Sequence, residues 1–232
     1  HALLRELREE LGITVDTAYP WLTRVFTYPH ATVRLNFFRV TAWQGEPHPH
    51  EGQQFSWQRA HEVTVGPLLP ANTPIIRALE LPPLYAISNI KELGEAEFMN
   101  RLEAALNKGL QLVQLREKNL ARAELRALAL QMLPLMKRYG ARLLLNADIE
   151  LAREVGADGV HLNAAQLASL QQRPALSWCA ASCHNAEELQ RAQELGCDFA
   201  VLSPVLPTLS HPGEPTLGWE KFAEITRGSA IP

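Results

Sequence analysis

Hydrophobic and polar positions divide the chain into two stretches of different rhythm. From Leu84 onward, short apolar runs alternate with amphipathic segments. The runs are LYAIS, LQLVQLRE, ARLLLN, GVHLN, SWCAAS and FAVLSPV. Between them lie EAEFMNRLEAALNKG, RAELRALALQMLPLMKRYG, IELAREVG, AAQLASLQQR and NAEELQRAQELG. Runs that are apolar nearly throughout predict strands covered on both faces, and the alternation predicts a parallel sheet with crossover helices. Gly109, Gly140, Gly156 and Gly196 fall where helix C-caps belong. Each run ends in polar residues: Ser88, Arg116 with Lys118, Asn146, His161 with Asn163, Ser182 with His184, then Ser203. Polar groups gathered at the C-terminal ends of parallel strands mark the active face of a (β/α)8 barrel, and equally that of a doubly wound open sheet.

Residues 1–81 have another texture, rich in Trp, Phe, His and Pro. TVRLNFFRVTAW and QQFSWQRAHEV carry aromatic and β-branched residues and predict strands, with GEPHPHEGQ as the loop between them. ANTPIIRALEL predicts a helix with Asn72 as its N-cap and Pro74 in its first turn. At the start of the chain, Leu3, Leu4, Leu7 and Leu11 form an apolar helical stripe. This half is therefore α+β. The boundary falls at LELPPLY, giving domains 1–81 and 82–232.

Composition narrows the function. Of 232 residues, 47% are hydrophobic and 20% charged, an ordinary globular balance. A formal net charge of -3 argues against binding a nucleic-acid duplex. No apolar run is long enough to span a membrane and no signal peptide is visible, which points to the cytoplasm. Cys179, Cys183 and Cys197 are odd in number, so buried free thiols fit better than a disulfide framework or a zinc site at CAASCH.

Glu6, Glu9 and Glu10 lie together on the first helix, where like charges repel. A solvated acidic face is the simple reading; a grip on a divalent cation that holds phosphate oxygens is the other. RELREELGI, from Arg5 to Ile13, resembles the second half of the Nudix box, R-E-U-x-E-E-x-G-U with U aliphatic. The stretches FTYPHATVRLNFFRVTAWQGEPHPHEGQ and LLPANTPIIRAL resemble the region after that box in MutT-type 8-oxo-dGTP diphosphatases. That resemblance implies a partial Nudix fold and a nucleotide-pool-sanitising hydrolase that takes a nucleoside triphosphate, 8-oxo-dGTP, to the monophosphate. It implies Mg2+ or Mn2+ held by Glu6, Glu9, Glu10 and Glu51, with Glu9, Glu10 and Glu51 catalytic and Asn72 reading the base. The family pattern also wants a glycine and a glutamate upstream, so the sequence reads as lacking the front of this domain, and the polypeptide as given is expected not to hydrolyse nucleotides.

The motifs LVQLREKN, LLLNADIELA, GADGVHLNAAQL, AASCHNAEEL and FAVLSPVLPTLSHPGEPTLGW resemble, in order, those of thiamine phosphate synthase and its relative TenI, over residues 84–222. The resemblance implies a (β/α)8 TIM barrel, here incomplete at about six of eight strands, with open edges expected to promote aggregation. It implies that Gln114, Arg116, Lys118 and Asn146 bind a pyrimidine diphosphate and that Ser182 and Thr208 contact phosphate. The two magnesium-binding aspartates of the family correspond to Ala147 and Gln166, and its lysine after strand six to His211. The barrel is thus expected to lack a metal and synthase activity, and His184 matches the histidine with which TenI-like proteins tautomerise an aminothiazole. Three readings of the barrel stay open: a thiazole tautomerase, a regulatory module for a thiamine-related phosphorylated ligand, or a synthase whose metal ligands have moved to Asp148 or Glu150. The oligomeric state is not legible.

Overall fold

A computed structural model describes residues 2–50, 52, 54–208, 213 and 215–232. Contacts divide the chain into two compact units, one reaching to Glu80 with Thr226–Ala230 and Pro232, the other Leu81–Ile225 with Ile231.

The first unit opens with helix α1 (Ala2–Leu11), which buries no residue. Strands β1 (Thr14–Tyr28) and β2 (Ala31–Gln44) follow as an antiparallel hairpin with register shifts between Val15 and Ala18 and between Pro20 and Thr23. A 3-10 turn (Pro70–Asn72) leads into helix α2 (Thr73–Leu79). Leu22, Ile75 and Ala78 form its small core, with Trp21 and Phe37 packed against them.

Three expectations change here. QQFSWQRAHEV forms no strand among its described residues. Gln58 instead satisfies the segment locally, its Oε1 accepting from the Thr64 N–H and hydroxyl while its amide donates to Ser56. Asn72 makes no side-chain cap on α2. The acidic cluster does not assemble into a metal centre: Glu6 and Glu9 both pair with Arg5, on a solvated face where all three side chains are about half exposed or more. Among the described residues no three His, Cys, Asp or Glu side chains gather to hold a metal ion, and Glu51 lies outside those residues.

The second unit is a six-stranded parallel sheet in sequential order: β3 (Ala86–Ile87), β4 (Leu112–Leu115), β5 (Arg142–Asn146), β6 (Gly159–Leu162), β7 (Trp178–Cys183) and β8 (Phe199–Leu202). It is a half-barrel sheet rather than a closed one. Helices α3 (Ile90–Leu93) and α4 (Glu95–Asn107) link β3 to β4, α5 (Arg122–Arg138) links β4 to β5, and α6 (Ile149–Val155) links β5 to β6. Helices α7 (Ala164–Ser169) and α8 (Ala186–Leu195) complete the next two crossovers, and α9 (Gly218–Thr226) follows β8. No helix among the described residues is long and apolar enough to cross a membrane.

Side chains alternate across each strand, and the two faces have different fates. Val113, Leu115, Leu143 and Leu145 face the helix layer, where Leu128, Met132 and Met136 of α5 pack on them. Val160, Leu162, Cys179, Ala181 and Cys183 face the layer built by Leu189, Ala192 and Leu195 of α8. The opposite parity, Leu112, Leu144, Trp178, Ala180 and Phe199, forms a separate inner core. Gly156 and Gly196 end α6 and α8 in left-handed geometry, so their backbone N–H groups close the last turns at no Cβ cost. The thiols of Cys179 and Cys197 lie 3.9 Å apart, free and buried.

The β6–β7 pair leaves no room for a side chain at Gly159. A Cβ there would lie 2.2 Å from the Trp178 carbonyl oxygen. Gly159→Ala is therefore expected to destabilise the second unit by about 3 kcal/mol. A denaturant midpoint unchanged from wild type would contradict this packing.

Candidate functional site on the inner face of the sheet

The inner-face parity turns polar toward the C-terminal strand ends. Leu112 gives way to Gln114 and Arg116, Leu144 to Asn146, Gly159 to His161, Ala180 to Ser182 and His184, and Val201 to Ser203. The polar residues of this set line one cavity of about 790 Å³, joined by Tyr85, Lys118, Thr208 and Trp219. A parallel sheet buried on both faces keeps apolar residues in its middle, so polar inward positions survive only where the strands end.

Hydrogen bonds fix most of these groups. Gln114, 2% exposed, donates through its amide to Asn146 Oδ1 at 3.1 Å. Ser88 Oγ accepts from the Arg116 N–H at 2.9 Å, holding the strand end from which Arg116 projects. His184 and Glu188 form a pair at the start of α8: Glu188 Oε2 accepts from the His184 backbone N–H at 2.8 Å and lies 2.9 Å from His184 Nδ1. With the proton on Nδ1, the Nε2 lone pair is left available. Asn185 caps α8 by accepting from the Glu188 N–H, which fixes the carboxylate's backbone.

The charge of the cavity is one-sided. Arg116 and Lys118 line it, and none of its described lining residues carries a carboxylate. The site suits an anion, with an arginine and a lysine offering several donors to phosphate oxygens.

The magnesium ion that the thiamine phosphate synthase resemblance implies does not fit these residues. Ala147 and Gln166 stand where the resemblance puts aspartates, and Gln166 Nε2 donates to the Ala147 carbonyl at 2.7 Å. Ala147 adopts φ 59, left-handed backbone that is uncommon for a residue with a Cβ. The nearby carboxylates are committed elsewhere. Asp148 caps α6 at the Leu151 N–H and accepts from Arg122, Glu117 accepts from the Ile90 N–H, and Glu150 pairs with Arg153 on the surface.

Tyr85 was not singled out by sequence, and His161 was marked only as a polar strand end without a role. Tyr85 OH lies 3.1 Å from His161 Nδ1, and His161 Nε2 lies 2.9 Å from Ser182 Oγ. The Tyr85 and His161 rings stack with centroids 5.8 Å apart, and Phe199 meets Tyr85 edge-on. What only the strand register shows is that the Tyr85 ring meets His161 at the same inward parity. Burial, with the charge of Arg116 second, pushes the His161 imidazole down to about 4, and burial pushes the Tyr85 phenol up. Of the other sequence-derived residues, Gln114, Arg116, Lys118, Asn146, Ser182, His184 and Thr208 meet in this cavity. Asn72 lies in the first unit, and His211 and Glu51 lie outside the described residues.

The His161 shift has a thermodynamic consequence. The neutral ring is favoured in the fold, so the unfolded chain binds the extra proton between the ordinary histidine value of 6.5 and about 4. Stability is therefore full above that window and falls as pH drops through it, by up to on the order of 3 kcal/mol from this group. Denaturation of wild type and His161→Asn across that range should show a shallower pH slope in the variant; parallel slopes would contradict the assignment.

Comparison with known proteins accords with this geometry. The model of a family described as thiamine monophosphate synthase matches residues 84–232. A relative in Aquifex aeolicus, provisionally named thiamine-phosphate synthase 2, is 40% identical over 156 residues, which span 66% of this chain and 83% of that protein. The thiamine-phosphate synthase of Limosilactobacillus fermentum is 33% identical over 59% of this chain and 67% of its own length. The solved structure of a thiamine phosphate pyrophosphorylase from Pyrococcus furiosus superposes with a TM-score of 0.52 at 25% identity, over 64% of this chain and 71% of that one. These matches overturn the expected Nudix hydrolase. The relatives are thiamine-phosphate synthases, and an 8-oxo-dGTP diphosphatase, its nucleoside triphosphate, its Mg2+ or Mn2+ cluster and a role in sanitising the nucleotide pool have no support in them or in the solvated glutamates of α1. The chain belongs to the thiamine monophosphate synthase family.

Proposed function

We propose that this protein acts in thiamine biosynthesis, binding a phosphorylated thiazole in the inner-face cavity and moving a proton on it without a divalent metal. One observation carries the reading: among its described lining residues the cavity offers two cations, a histidine backed by a carboxylate, and no carboxylate. Arg116 and Lys118 would hold the phosphate, with Ser182 and Thr208 as hydroxyl donors. His184, with its Nδ1 proton held by Glu188, would take a proton from the heterocycle at Nε2 and return it at another atom, so the reaction conserves every atom. Free buried thiols fit a reducing cytoplasm as the compartment.

A second reading is favoured by the names of the relatives: transfer of a pyrimidine onto the thiazole phosphate, as in a thiamine phosphate synthase. Here Arg116 and Lys118 would have to neutralise the departing pyrophosphate unaided.

The two readings separate in one experiment with the full chain. Given an aminothiazole phosphate, the protein should isomerise it at the same rate with magnesium or with a chelator, and His184→Ala should slow it by about 100-fold or more. Formation of thiamine phosphate from the pyrimidine diphosphate and thiazole phosphate only when magnesium is added would reject the metal-free reading in favour of the transferase.

A further inference from the structure

Tyr85, His161 and Ser182 form a chain of two hydrogen-bond contacts. Tyr85 OH has one hydrogen-bond partner among the described residues, His161 Nδ1, and its phenol stays protonated because burial disfavours the charged form. A half-buried phenol places its proton on an available acceptor. With Tyr85 as the donor, Nδ1 is the acceptor and the single ring proton of the neutral imidazole sits on Nε2. In that tautomer the Nε2–H donates to Ser182 Oγ, 2.9 Å away. Ser182 Oγ is thereby an acceptor toward His161, and its own hydroxyl proton has the cavity as its outlet. Arg116 is the charged group that bears on His161, and its positive charge works with burial to keep the ring neutral.

We propose that Tyr85 and His161 are positioning residues that fix Ser182 as a hydrogen-bond donor into the cavity, making this corner of the site selective for an acceptor such as a phosphate oxygen. A free serine hydroxyl can turn to donate or accept. Here the ring N–H occupies one lone pair of the oxygen and keeps the hydroxyl proton from turning to the ring, which leaves that proton for the cavity. The selection is for an oxygen that can accept the Ser182 proton and against an ammonium, which has no lone pair to accept it. The inference rests on the proposed phosphate-binding role of the cavity for its ligand, but the relay itself is a property of the unliganded chain.

Two measurements test it. In nitrogen-15 spectra of the full chain at neutral pH, His161 should appear as a single neutral tautomer protonated at Nε2, and Tyr85→Phe should convert it to a mixture. A wild-type ring protonated at Nδ1, or already mixed, would overturn the relay whatever the ligand. Titration with inorganic pyrophosphate should then show about fivefold weaker binding for Tyr85→Phe and for Ser182→Ala, on the scale of one lost hydrogen bond. The double variant should be no weaker than Ser182→Ala alone, because both changes remove one contact. Independent, additive losses would mean that Tyr85 acts only on local packing, and would overturn the positioning role. Absence of pyrophosphate binding in wild type with the tautomer as expected would uphold the relay and instead remove the phosphate ligand from the proposed function.

Discussion

Everything in the second unit depends on the two-residue alternation of short parallel strands. One parity must be apolar throughout, because the crossover helices cover it. The other parity faces inward and is apolar only as far as neighbouring strands can fill the space, with Leu112, Leu144, Trp178 and Phe199 doing so. Beyond them the same parity carries Gln114, hydrogen-bonded to Asn146, and His161, hydrogen-bonded to Ser182. The site is what the inner face becomes when its apolar filling stops.

That origin explains the electrostatics. Carboxylates near the strand ends have been drawn into backbone duty, capping α6 at Asp148, steadying α3 at Glu117 and orienting His184 at Glu188. Each satisfies N–H groups that a helix start leaves open. The cavity keeps the cations Arg116 and Lys118, and burial, with the charge of Arg116 second, favours the neutral ring of His161. An anion entering this space meets fixed donors and little opposing charge.

The acidic opening of the chain shows how a local pattern can mislead. Glu6, Glu9 and Glu10 stand at helical spacing, and spacing alone is compatible with a metal grip or a wet surface. A metal site needs oxygen ligands converging from several directions. On α1 the glutamates Glu6 and Glu9 turn to Arg5, and the helix buries nothing. QQFSWQRAHEV failed as a strand for a related reason: β-propensity is realised only where a partner strand accepts the hydrogen bonds, and Gln58 supplied a local alternative.

What the sequence determined by itself was periodic. Apolar runs alternating with amphipathic segments marked β3 to β8 and their crossovers, and the polar residue closing each run marked the face on which a cavity would open. Those signals are legible because strand and helix periods are properties of neighbouring residues. The tertiary structure alone decided which polar groups meet. Tyr85 and His161 are 76 residues apart, and His161 and Ser182 are 21 apart. No local period records that their rings and hydroxyls converge, because the register of adjacent strands brings them together, and that register is set by packing across the whole sheet.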